Sequence, residues 1–157
     1  MLDNYILETK KYLELNPSLT EDEIVMHVYL DLGYRLSFDT EFFFCDSKRK
    51  SEIYYNASKM SELNNCLKNN RIICKSSAYI LEYILKSLGI NIVTIADREG
   101  RGRKEGVTRI YAHVYNVIIP SDGSKSYIID LQNDLSNIHF HFLQLILEKM
   151  LMIIINM

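Results

Sequence analysis

A chain of 157 residues, 48% of them apolar and 24% charged, with six glycines and two prolines, has the composition of an ordinary globular protein, which excludes a disordered or fibrous one. A formal charge of -2 and a single short basic cluster, Arg98 to Lys104, leave no electrostatic footprint for nucleic acid. Cys45, Cys66 and Cys74 are an odd number with no CxxC pair, so reduced thiols are expected instead of a disulfide framework.

The length predicts one domain over residues 1–157 with a single core. The start, Met1 to Tyr5, lacks the basic and continuously apolar regions of a secretory signal, so a cytoplasmic location is expected. Leu2 to Leu15 carries Leu2, Tyr5, Ile6, Tyr12 and Leu13 at helical spacing and is stopped by Asn16-Pro17. Ser18 with Glu21 and Thr20 with Glu23 form two overlapping capping-box patterns. A helix to about Leu32 follows, burying Ile24, Val28 and Leu32 with Val25 and Tyr29 beside them.

From Gly33 to Asn70 periodicity is poor: Phe42-Phe43-Phe44 is an apolar knot, Ser47 to Lys50 is expected as a solvated turn, and Ser58 to Lys68 has Met60, Leu63 and Leu67 at helical spacing. The strongest helical pattern runs from Cys74 to a stop at Gly89, with Ala78, Leu81, Leu85 and Leu88 as a stripe that Ile80 and Ile84 widen. Ile90 to Ala96 has the β-branched density of a strand, Asp97 to Gly106 is expected as a flexible loop, and Thr108 to Ile119 as a long strand. Pro120 to Ser124 supplies a turn, and Tyr127 to Leu131 returns as a strand. Helices first and an antiparallel sheet second make an α+β layout, with the Cys74 helix packed on the sheet.

The hairpin fixes a relation between two side chains. If Asp122-Gly123 is a two-residue turn, or the loop is otherwise symmetric about it, His113 faces Gln132 and Tyr115 faces Asp130. His113 and Asp130 then share a face as diagonal neighbours, about 7–8 Å apart at the backbone, within reach of an imidazole–carboxylate hydrogen bond. A thiol in the first turn of a helix lies among unpaired N–H groups at the positive end of the dipole, and both favour the thiolate. Cys74, His113 and Asp130 thus supply a nucleophile, a proton carrier and its orienting carboxylate, with the Cys74 N–H as an oxyanion donor.

The order of Arg-Ile-Ile-Cys74-Lys-Ser-Ser-Ala, Tyr-Ala-His113-Val-Tyr and Tyr-Ile-Ile-Asp130-Leu resembles the transglutaminase-like core of the papain-like superfamily, over roughly Glu23 to Asp134. The resemblance implies a Cys-His-Asp triad that needs no metal or cofactor, and a protein or peptide substrate. Peptide-bond cleavage is the first expectation. Glutamine deamidation or transamidation, and a non-catalytic binding module that keeps the fold, are the alternatives. The chain departs from the family pattern in Ile73 where many members have glycine, in Tyr115 where tryptophan is common, and in Asn69-Asn70 where an upstream glutamine often donates to the oxyanion; Asn70 is the candidate substitute.

Competing readings attach to the same residues. Cys66, Cys74, His113, His139 and His141 are zinc-ligand types, but their spacing matches no knuckle, so no metal is expected. Ser76 and Ser77 lack a GxSxG elbow and read as capping or packing, and Cys45 and Cys66 as packing or surface thiols. Arg98 to Lys104 reads as a solvated loop before it reads as a clamp for an acidic group. Phe142 to Met157 is apolar but short and contains Glu148 and Lys149, so a core or dimer helix is expected and a membrane span is not.

Overall fold

The computed structural model describes residues 1–52, 59–104 and 107–136. Seven helices and five strands occur among them: α1 Leu2–Leu15, α2 Glu21–Arg35, β1 Ser37–Phe38, α3 Thr40–Phe44, α4 Ser47–Glu52, α5 Met60–Asn69, β2 Arg71–Ile72, α6 Cys74–Ser87, β3 Ile92–Lys104, β4 Val107–Ile118, β5 Tyr127–Ile129 and α7 Leu131–Ser136. The order β3-β4-β5 forms an antiparallel sheet, and β1 pairs with β2 in parallel. Helices and an antiparallel sheet in separate stretches make this an α+β chain, as expected. Among the described residues no helix is long and apolar enough to cross a membrane.

α6 lies at the centre, with β3 and β4 on one side and α1, α2, α5 and α7 around the other. Its Ile80, Leu81, Ile84 and Leu85 are fully buried, each contributing about 1.5–3 kcal/mol through apolar burial. Leu2, Val25, Val28, Leu32, Leu63, Ile72, Ile92, Ile118, Ile129 and Leu131 complete the core around them. The helix ends where Gly89 takes a φ of +85, a backbone that suits glycine.

Of the two capping boxes, Thr20 with Glu23 forms: the Glu23 N–H donates to Thr20 Oγ1 at 3.3 Å and the Thr20 N–H to Glu23 Oε2 at 2.7 Å. Glu21 instead reaches the hairpin, accepting from the Ser121 N–H at 3.1 Å and the Ser121 hydroxyl at 2.5 Å. Asp22 accepts from the Tyr127 hydroxyl at 2.8 Å, so the start of α2 grips both arms of the turn.

Three expectations are corrected. The stretch from Asp97 onward is strand: β3 continues to Lys104, which pairs with Val107, so ladder hydrogen bonding overrides the glycines and charges that suggested a loop. Ser47 to Lys50 opens a short helix, because the Asp46 carboxylate accepts from the Arg49 N–H at 2.8 Å and closes its first turn. The hairpin turn is wider than two residues. Its hydrogen bond runs from the Gly123 N–H to the Pro120 carbonyl at 3.4 Å, and β5 begins only at Tyr127. The wider loop is symmetric, however, and the register is unchanged: Asn116 faces Ile129, Val117 faces Ile128 and Ile118 faces Tyr127. The expected dimer segment Phe142 to Met157, with His139 and His141, lies outside the described residues.

Candidate active site

The site is built where β5 leaves the sheet. The Ile119 N–H bonds the Asn91 carbonyl on the β3 side at 2.9 Å, so by alternation the even residues of β4 point their N–H groups toward β5. Carried two residues beyond Asn116–Ile129, the register would set Leu131 against Val114, but at Leu131 the chain has already turned into α7. The Val114 N–H is thereby left at an open edge of the strand that packs on α6, and it is one of the backbone groups that pull the Cys74 thiol down.

Asn116, 1% exposed, holds α6 in register with this edge. Its Nδ2 donates to the Ala78 carbonyl at 3.1 Å and to Thr94 Oγ1 at 3.0 Å, and the Thr94 hydroxyl donates to Glu82 at 2.6 Å. A buried amide without such acceptors would cost roughly 1–3 kcal/mol, so the helix seats where they are met. At its N-terminus Ile73 brings no side-chain acceptor, and Ser76 takes the Ile73 N–H at 3.0 Å. Ser77 donates to the Cys74 carbonyl at 2.9 Å. Both serines therefore cap and pack, as expected.

Cys74 is half-buried. Burial pushes its thiol above the ordinary value, against the pull of the Val114, Lys75 and Cys74 N–H groups, and the negative charge of Asp130 adds to the rise. This corrects the expectation of a resting thiolate: at this helix start, loss of hydration outweighs the backbone dipoles.

His113 and Asp130 meet, with Nε2 to Oδ2 at 2.5 Å and side-chain exposures of 34% and 18%. The returning strand, however, ends at Ile129 and not at Leu131 as expected, so Asp130 does not pair with Tyr115 nor Gln132 with His113. A carboxylate only accepts, so the ring carries its proton on Nε2 and the neutral imidazole keeps its lone pair on Nδ1. The Tyr115 ring stacks on His113 at 6.1 Å between centroids. On β3 the register shifts between Asp97 and Gly100, beside the His113 pair, a bulge of the kind that re-aims a strand next to a site. Asp130 has a second duty: its Oδ1 accepts from the Asn133 N–H at 3.1 Å and caps α7.

The remaining candidates fall elsewhere. Asn70 is exposed, with a φ of 54, and acts as the left-handed stop of α5; its carbonyl accepts from the Ser37 N–H at 2.9 Å. Cys66 is fully buried and its thiol is pushed up to about 11, first by burial. The Cys45 thiol donates to the Phe42 carbonyl at 3.7 Å. Among the described residues no three His, Cys, Asp or Glu side chains gather as metal ligands. Sequence reasoning missed the role of Asn116, whose only signal was an amide in an apolar strand. No family model matches the chain, and neither a curated protein nor a solved structure does.

Proposed function

We propose that the chain is a thiol-dependent amide hydrolase on a transglutaminase-like, papain-like core, acting first of all on peptide bonds. The observation that carries this reading is the hydrogen bond of Asp130 to His113, which sits on the strand that packs against the Cys74 helix. Because burial keeps the thiol protonated, His113 acts as a general base during attack: Nδ1 takes the Sγ proton as the sulfur bonds the carbonyl carbon. Asp130 stabilises the imidazolium, and the N–H donors around the sulfur are those available to the developing oxyanion. Collapse breaks the C–N bond as the imidazolium gives its proton to the departing nitrogen. Water, deprotonated by His113, then hydrolyses the thioester and restores the thiol. Glutamine deamidation and transamidation run through the same acyl-enzyme, with ammonia as the leaving group and water or an amine as acceptor.

p-Nitrophenyl acetate, an activated acyl donor, tests the chemistry without a known substrate. The expected result is a stoichiometric burst of nitrophenolate with the acetyl group on Cys74 by peptide mass spectrometry. His113→Ala should slow it by roughly 10²–10⁴-fold, the usual contribution of a general base. Acetylation of Cys74 at the rate of an ordinary thiol, indifferent to His113, would overturn the proposal. One observation favours a second reading: the raised Cys74 thiol is what a non-catalytic binding module would carry, and that reading takes over on this outcome.

A further inference from the structure

The acid partner of His113 is held from behind by a buried pair that the chemistry above does not use. Along β5 the odd residues turn their backbone groups toward β4, so the Asp130 N–H points away from the sheet. No strand lies there among the described residues, and the Tyr29 hydroxyl of α2 approaches this backbone group. That hydroxyl in turn donates to Asp134 Oδ2 at 2.5 Å. Tyr29 is 2% exposed and Asp134 5% exposed. The circuit closes through the first turn of α7, where the Asp134 N–H donates to the Asp130 carbonyl at 3.1 Å. A phenol and a carboxylate are costly to bury unless each satisfies the other, and here the carboxylate's own residue also holds the Asp130 backbone.

From this geometry we infer that Tyr29, with Asp134, is a positioning residue for the proposed triad: its hydroxyl fixes the Asp130 backbone so that Oδ2 meets His113 Nε2. The inference rests on the triad reading only in that the pair it positions is the His113–Asp130 pair. Neither Tyr29 nor Asp134 touches the reacting atoms. Both act by limiting the angles from which Asp130 can approach the ring.

The test reads His113 directly, by long-range ¹H–¹⁵N correlation of its imidazole across pH in the full chain, with thermal melts alongside. Asp130→Asn is the benchmark: with the carboxylate gone, the fixed Nε2-protonated tautomer of His113 should be lost. Tyr29→Phe keeps the ring and removes the hydroxyl. The expected result is a mixture of Nε2- and Nδ1-protonated tautomers in place of the fixed Nε2-protonated one. Asp134→Asn, which keeps size and shape, should do the same more weakly and serves if Tyr29→Phe does not fold. A lowered melting temperature with the His113 tautomer unchanged would overturn the inference, leaving the two residues a purely structural role. So would a benchmark that leaves His113 unmoved, since no pair would then exist to position. These readouts need no nucleophile, so loss of the acylation activity and loss of this inference are separable.

Discussion

Cys66 near the end of α5 and Cys74 at the start of α6 flank one short bend of chain, yet they meet opposite surroundings. Both thiols are pushed up by burial. Around Cys66 the relief comes first from the Ser76 side chain, while the charges of Glu62 and Asp39 add to the rise, which reaches about 11. Around Cys74 three backbone N–H groups converge, one of them from a strand edge that β5 has vacated. The packing thiol is fully buried, whereas the candidate nucleophile is only half-buried. A second difference is the set of backbone N–H groups that pull the Cys74 thiol down.

The comparison breaks most visibly in acylation. Cys74→Ala should reduce acetyl-thioester formation by more than about 10³-fold, whereas Cys66→Ala should leave the Cys74 rate intact and cost about 1 kcal/mol of stability from the core; equal losses from both variants would erase the distinction.

Next in size is a pH effect confined to Cys66. Its folded-state value of about 11 lies above the ordinary thiol value of 9.0, so the folded chain holds a proton that the unfolded chain gives up. Stability from this group is complete below about pH 9 and is lost as pH rises toward about 11, amounting to roughly 3 kcal/mol. Urea melts at pH 8 and pH 11 should differ less in Cys66→Ala than in the parent by that amount, because the buried tyrosines titrate equally in both.

The smallest effect sharpens the Cys74 side. Asp130→Asn keeps an N-cap acceptor for Asn133 but loses the charge facing His113, while Asp130→Ala loses both. Acylation should fall in each, with Asp130→Ala melting lower by a further ~1 kcal/mol, the usual worth of a cap. Equal melting of the two variants would show that the cap contributes nothing.

Where a local pattern decided the structure, the sequence was legible. The α6 stripe, the Asn16-Pro17 stop and the Thr20–Glu23 box all lie within one helix or its end. The pairing of His113 with Asp130 followed from strand parity alone, and it survived an error in the turn because a symmetric loop preserves parity. Less was legible where distant parts of the chain decide. The strand character of Asp97 to Lys104 comes from its partner β4 and not from its own residues. Nothing near Tyr29 announces that its hydroxyl reaches a carboxylate far down the chain, and nothing near Cys74 shows how much water the fold removes from the thiol. Ser37 to Phe38 and Arg71 to Ile72 are strands only because they pair with each other.

That two-residue pairing has a consequence for how the chain tolerates change. The Ser37 N–H bonds the Asn70 carbonyl at 2.9 Å and the Asp39 N–H the Ile72 carbonyl at 2.8 Å, closing the excursion between them immediately before Cys74. Closure entropy grows only logarithmically, about 0.6 kcal/mol for each doubling of the loop. Residues added to the connections within the excursion therefore enlarge it cheaply, and the clasp at its base insulates the approach to the thiol from the added length.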